Sequence, residues 1–312
     1  MRRKAGEVKD LIALDWGTTS LRAARLSPDG AVLEERQGPD GILQVPAGGF
    51  PAAFSNLLKG WPLRPGTLCL ASGMVGSRQG WLEAPYCPCP AGASELAGRI
   101  AWVPDAPSGV RLGIVPGLST RHAGVHDVMR GEEVQVFGAL ELLARDQGTF
   151  VLPGTHSKWV RVRDGRIAGF STFMTGEVYA LLRRHSILAR TMPENDGDLD
   201  EPAFLRGVLH ARQAGSLLLA AFAARTSSLF DQLPAAALPS YLSGLVIGEE
   251  LRAQRLENSG ADLVLVGAPG LTERYRLALR AVGLEATCLG AEATWRGLAS
   301  LARTLENRTT QA

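Results

Sequence analysis

Apolar residues follow two rhythms along the chain. Short unbroken apolar runs at residues 11–14 and 263–266 predict buried strands, and further short strands are predicted at 67–71, 113–115 and 149–152. Looser extended segments at 20–26, 31–33, 158–162, 167–174 and 284–289 predict further strands. Between them, apolar positions recur at helical spacing. In 132–144 they form a stripe of Val136, Phe137, Leu140, Leu143 and Ala144, and two acids in the first turn suit the positive end of a helix dipole. Helices are also predicted near 50–60, 177–189, 200–213, 216–230, 240–257, 271–282 and 291–304. Pro28-Asp29-Gly30 and Asp164-Gly165 carry turn chemistry. Residues 84–109, rich in Pro, Gly, Ser and Ala, lack periodicity and read as a surface excursion.

The same opening occurs twice. A strand, a turn bearing Gly and Thr, and a second strand stand at 11–35 and again at 149–174, each followed by alternating helices and strands. This weak duplication predicts an α/β protein of two domains, residues 8–146 and 147–306, with helical insertions in the second. A length of 312 residues agrees with two domains of about 150.

Composition narrows the function classes. Hydrophobic residues make up 46% and charged residues 21%, so the chain has the makings of an ordinary globular core. The net charge of +2 provides no global field for nucleic acid or anionic lipid. Four cysteines are too few for a disulfide scaffold. Cys69 and Cys288 lie in strand-like runs and are expected in the core. The apolar stretch after the basic N-terminus is too short for a signal peptide, and the longest apolar run, 217–224, is too short to span a bilayer. The expected compartment is the reducing cytoplasm, and the polar stretch 306–312 is expected to fray.

The chemistry concentrates in a few segments. Asp15-Trp16-Gly17-Thr18-Thr19-Ser20 is a strand end running into a turn whose N–H and hydroxyl groups can face phosphate oxygens, with an aspartate suited to Mg²⁺ held through water. Read alone, it is also a plain turn. Pro153-Gly154-Thr155-His156-Ser157-Lys158 is its counterpart in the second half, and Lys158 is a point charge for phosphate or carboxylate. Glu132 and Glu133 follow Gly131 at a helix start, where either a general base or dipole compensation accounts for them. His122 and His126 would need a helix and further ligands to hold a metal, and Gly124 argues for a loop there. Residues 267–270 form a strand-to-helix turn of the kind that flanks a nucleoside. The chain has no G-x-G-x-x-G, P-loop, G-x-S-x-G or H-E-x-x-H motif.

Taken together, these segments resemble the acetate and sugar kinase, Hsp70 and actin superfamily and, within it, the 2-dehydro-3-deoxygalactonokinase family. The resemblance rests on Ile12 to Thr19, Gly73-Met74-Val75-Gly76-Ser77 with Gly80-Trp81, Ala84-Pro85-Tyr86, and Val115-Pro116-Gly117-Leu118. It continues through Val128-Met129-Arg130-Gly131-Glu132-Glu133, Pro153-Gly154-Thr155-His156, Lys158-Trp159-Val160, Met174-Thr175-Gly176-Glu177 and Leu242-Ser243-Gly244-Leu245. It implies a two-domain, ribonuclease H-like, actin-like ATPase fold with a nucleotide cleft between the domains. It also implies ATP-dependent phosphorylation of 2-dehydro-3-deoxy-D-galactonate at its 6-hydroxyl.

Within that frame Asp15 holds Mg²⁺. Gly17, Thr18 and Thr19 cradle the phosphates of ATP, and Gly154, Thr155 and His156 form the second phosphate loop. Gly267 and Gly270 flank the adenosine. Ser72, Gly73, Met74, Val75, Trp81, Tyr86 and Lys158 hold the sugar acid, and Glu133 or Glu132 is the base. Pro153 stands where the superfamily usually has an aspartate, so no second acidic metal partner is placed on that loop. The implied partners are the sugar acid and ATP, with no nucleic acid or membrane, and a homodimer is left open. A kinase for another keto-deoxy sugar acid and a non-catalytic ATP-dependent binding protein are the alternatives.

Overall fold

A computed structural model describes residues 10–254 and 262–311. The expected domain start at residues 8–9 and the end of the helix expected at 240–257 lie partly outside them. The chain opens with β1 (Leu11–Trp16), β2 (Leu21–Leu26) and β3 (Val32–Gly38), then α1 (Phe50–Leu57) and β4 (Leu68–Ser72). The segment expected to be irregular contains β5 (Cys87–Pro88), α2 (Ala93–Ala97) and β6 (Ala101–Trp102). Next come β7 (Arg111–Ile114), β8 (Leu118–His122), β9 (Val125–Met129) and α3 (Glu132–Leu142).

The second half begins with β10 (Gly148–Leu152), β11 (Ser157–Arg163) and β12 (Arg166–Phe173). Helices α4 (Thr175–His185), α5 (Glu201–Ala214), α6 (Leu217–Ala221), α7 (Ala223–Leu229) and α8 (Leu238–Ala253) follow. It closes with β13 (Leu263–Val266), α9 (Pro269–Arg280), β14 (Ala286–Leu289) and α10 (Glu292–Gln311).

The two main sheets repeat one topology. Their orders are β3-β2-β1-β4-β7-β6 and β12-β11-β10-β13-β14, so each has a three-stranded meander extended on its first strand by two later strands. β1 pairs in parallel with β4, and β10 with β13. Parallel pairing demands a crossover and buries both faces of the central strands. That is why β13 reads as an unbroken apolar run, all four of its residues buried.

The chain divides into two compact units that depart from the expected domains. One comprises residues 1–147, 160–170 and 291–312; the other comprises 148–159 and 171–290. The expected second domain, 147–306, is therefore corrected at its end, because α10 belongs with the first half. Its Ala293, Trp295, Leu298, Leu301 and Ala302 are buried. Gly138 and Gly297 let α10 lie directly on α3: a Cβ on Gly138 would fall 1.8 Å from the Ala293 carbonyl oxygen, and one on Gly297 would fall 1.9 Å from that of Val134. The helix also runs through Gln311, where fraying was expected.

The first unit has a core of Ile12, Leu14, Trp16, Phe54, Leu112 and their neighbours. The second has one cluster against its sheet, around Val151, Phe204, Leu265 and Tyr275, and another among its helices, around Ala211, Tyr241 and Leu245. Cys69 is buried as expected, but Cys288 is exposed, because β14 is the sheet edge. No helix among the described residues is long and apolar enough to cross a membrane.

Candidate active site

In the first unit, three chain segments meet beyond the carboxyl end of β1. Asp15 lies opposite Ser72 in the parallel β1–β4 register. Gly73 then turns with φ 97°, and a Cβ there would come 2.8 Å from the Trp16 carbonyl oxygen. Gly131, the N-cap of α3, has φ 108°, and its Cβ would come 3.2 Å from the Gly73 Cα. Both positions need positive φ and a bare Cα, which glycine supplies without strain. The end of β1, the loop after β4 and the start of α3 are thus held in backbone contact, bringing Asp15, Gly73, Glu132 and Glu133 into one neighbourhood.

The first hairpin turn is closed by the Gly17 N–H donating to the Ser20 carbonyl at 2.9 Å. The Gly17 and Thr18 carbonyls accept from the Ile42 and Leu43 N–H groups at 3.0 and 3.2 Å, so the segment around Gly41 braces the turn. Thr18 and Thr19 remain exposed. Asp15 is partly exposed and ion-paired with Arg22, its partner across the hairpin. Its fit to Mg²⁺ is that of one hard oxygen donor beside a turn with exposed Thr18 and Thr19. An ion that keeps most of its water needs one or two carboxylates plus substrate phosphates.

The loop expected to hold the sugar divides by burial. Val75 is a core side chain, and Ser72 is buried with its Oγ donating to the Leu14 carbonyl at 3.5 Å. Trp81 is locked into an aromatic cluster, edge-on to Trp16 at 6.0 Å and stacked on Phe50 at 6.1 Å. These three therefore brace the loop; Gly73 is buried too, and Met74 is half-buried against the same core. Tyr86 is exposed, and the Arg130 guanidinium sits over its ring at 4.4 Å.

Arg130, which carried no role in the sequence reading, donates from Nη2 to the Ala84 carbonyl at 2.8 Å, and its Nε and Nη1 are buried without a hydrogen-bond partner. Only its place in the resemblance block pointed to it.

The two candidate bases differ sharply. Glu133 is 0% exposed, and its carboxyl oxygens accept the Gly131 N–H at 2.9 and 2.8 Å. Burial pushes its carboxyl up to about 8, with the charge of Glu132 adding to the rise; backbone hydrogen bonds and Arg130 pull the other way. Glu132 is half-buried, and its Oε2 accepts the Arg130 N–H at 2.9 Å.

The raised value of Glu133 has a consequence for stability. The unfolded chain loses this proton near 4.5, the folded chain near 8. Glu133 therefore favours the folded state below about 4.5, and that contribution drains away as pH rises through the window up to about 8. The slope reaches about 1.4 kcal/mol per pH unit at most. Glu133→Gln removes it. Urea unfolding of both proteins at several pH values should show the variant gaining on the wild type as pH rises; a constant gap would contradict the assignment.

In the second unit, Thr155 and His156 are exposed and a Cβ on Gly154 would meet nothing within 4 Å, so this turn is open to a ligand. The start of α4 supports it. A Cβ on Gly176 would come 2.6 Å from the Gly154 carbonyl oxygen, and the Glu177 N–H donates to the Thr155 carbonyl at 3.0 Å. His156 Nε2 meets Glu177 Oε2 at 2.5 Å. Lys158, by contrast, is buried and donates from Nζ to Thr172 Oγ1 at 2.8 Å, facing its neighbouring strand.

Gly267 lies beside this turn, its Cβ position 3.7 Å from the Pro153 carbonyl oxygen. Gly270 is exposed in the first turn of α9, which begins at Pro269, so the expected loop 267–270 shortens to two residues. His122 and His126 sit on the β8–β9 hairpin rather than in a loop, with His122 Nε2 2.6 Å from the Phe170 carbonyl oxygen. Among the described residues no three His, Cys, Asp or Glu side chains gather as a metal cluster.

The family model for 2-keto-3-deoxy-galactonokinase matches residues 15–301, running from Asp15 through both hairpins. The chain belongs to this family. A Rhizobium meliloti protein named as a 2-dehydro-3-deoxygalactonokinase is 39% identical over 298 residues, covering 94% of this chain and 96% of that one. The 2-dehydro-3-deoxygalactonokinase of Escherichia coli is 34% identical, covering 95% and 98%. A crystal structure of a 2-dehydro-3-deoxygalactonokinase protein from Sinorhizobium meliloti matches with a TM-score of 0.85 at 39% identity, over 95% of this chain and 99% of that one. The fold extends further. The activator of 2-hydroxyisocaproyl-CoA dehydratase from Clostridium difficile, solved with bound ADPNP, matches at a TM-score of 0.52 and 11% identity over 97% of each chain. At that identity the likeness is one of fold alone.

Proposed function

We propose that the protein transfers the γ-phosphoryl group of ATP to the 6-hydroxyl of 2-dehydro-3-deoxy-D-galactonate, a step in galactonate catabolism. What carries this reading is the near-full-length match to the family, which includes both glycine-bearing hairpins and the acidic start of α3. Phosphoryl transfer asks the protein for in-line positioning and charge neutralisation more than for covalent chemistry. Thr18 and Thr19 on one hairpin and Thr155 and His156 on the other present donors for phosphate oxygens. Mg²⁺, when bound, supplies charge neutralisation on the phosphates, and Asp15 is the carboxylate that would hold it through water.

Glu132 takes the proton of the acceptor hydroxyl. Glu133 is shut away from any substrate and largely protonated at neutral pH, so it secures the start of α3 instead. The sugar acid lies against Gly73, Met74 and Tyr86, close to the buried charge of Arg130. Gly267 and Gly270 flank the adenosine. The free thiols Cys69, Cys87, Cys89 and Cys288 suit a reducing cytoplasm.

The test is a panel of keto-deoxy sugar acids with coupled detection of ADP. The galactonate-derived acid should give the highest kcat/KM, with phosphate found on its 6-oxygen. A stereoisomer preferred by more than about tenfold, a difference of ~1.4 kcal/mol in transition-state binding, would replace it as the substrate.

A further inference from the structure

Glu250 is buried near the end of α8, and four side chains donate to its carboxylate. Oε1 accepts Ser157 Oγ at 2.7 Å and Trp159 Nε1 at 2.5 Å. Oε2 accepts the Tyr275 hydroxyl at 2.6 Å and the Thr175 hydroxyl. A carboxylate is an acceptor-only group with room for about four donors, so this one is saturated. Burial pushes its carboxyl above the ordinary range, and the four donors, Thr175 foremost, pull it back. A buried acid is costly unless its hydrogen bonds are complete, and a partly satisfied network is worse than an apolar one.

The donors are not scattered. Ser157 directly follows His156, and Thr175 is the first residue of α4. These two flank the contact in which Gly176 packs on the Gly154 carbonyl and Glu177 meets both the Thr155 carbonyl and the His156 ring. Glu250 therefore ties the base of the second hairpin to the helix start that supports its tip. Trp159 and Tyr275 anchor the acid from β11 and α9.

We propose that Glu250 is a positioning residue for ATP, its carboxylate holding Ser157 and Thr175 in the register that shapes the Gly154-Thr155-His156 turn for phosphate oxygens. This rests on the kinase reading above. Glu250→Gln keeps the size of the side chain but turns an amide donor toward donors. It should raise the KM for ATP about tenfold and weaken ADP binding, measured by calorimetry, by a similar factor, with the KM for the sugar acid within twofold of wild type. Thr175→Val, which removes one donor at nearly constant volume, should shift the same two quantities about threefold.

Tyr241→Phe serves as the control. It lies on the same helix and loses a 2.5 Å contact with His210 Nδ1, so it should lower the thermal midpoint without moving either nucleotide constant. Folded Gln and Val variants with wild-type ATP and ADP constants would overturn the proposal, as would equal shifts for ATP and sugar acid. If Glu250→Gln fails to fold, the Val variant decides. A wild type that binds ADP yet phosphorylates no sugar acid sinks the kinase reading, and the ADP measurements still judge Glu250. A wild type that binds no ADP sinks both.

Discussion

Replacing Asp15 with alanine is expected to lower kcat on the order of 10³-fold, the scale seen when a group that stabilises transition-state charge is removed. Asparagine should do nearly the same, since it keeps the shape but not the charge that draws a hydrated cation. The structure allows this effect to be separated from loss of fold. Asp15 pairs with Arg22, and both side chains are partly exposed. Pairs of that kind contribute about 0–1 kcal/mol, so the thermal midpoint should move little. The variant also leaves an uncompensated Arg22 beside the turn proposed to hold phosphate, so the KM for ATP should stay level or fall while turnover collapses. Steady-state kinetics and a melting curve on the same preparations check both halves. Near-normal turnover in either variant would remove Asp15 from the mechanism.

Glu132→Gln is expected to reduce kcat by about 10²- to 10⁴-fold, the usual share of a general base, with both KM values within a few fold. Glu133→Gln should cost less than about tenfold under the same conditions, because Glu133 is buried and mostly neutral there. The pH profile provides an independent check. Were Glu133 the base, activity would climb toward about 8 as its carboxyl ionised. With Glu132 in that role, the wild type should show no such limb, and Glu133→Gln should leave the profile unchanged. The opposite ranking of the two variants would exchange their roles.

Where the chain's local chemistry and its tertiary structure agree, the sequence was readable. The run from Leu11 to Gly17 is a buried strand ending in a glycine turn, legible because its unbroken apolar run suits a central strand covered on both faces. The duplicated β-turn-β opening became two sheets of matching order. The β8–β9 hairpin was missed because Arg121, His122, His126 and Asp127 mask its alternation and its turn is only Ala123-Gly124. Lys158 looked available by residue type and Val75 was implied by the resemblance, but each falls at a strand or loop position that faces inward. Glu250 was invisible for a different reason. An acid beside another, Glu249-Glu250, in a helix reads as a solvated charge, and the four donors of Glu250 lie between 25 and 93 residues away. Only the folded chain brings them together.

The return of α10 to the first unit bears on how the molecule is made. During synthesis the residues that begin the first sheet leave the ribosome before the second unit does, yet the helix that seats on α3 is encoded after that unit. Residues 171–290 have all emerged before that helix has. The half that is translated first is thus completed last, and a transcript cut short just upstream of Glu292 would yield a finished second half attached to a first half with its α3 groove bare.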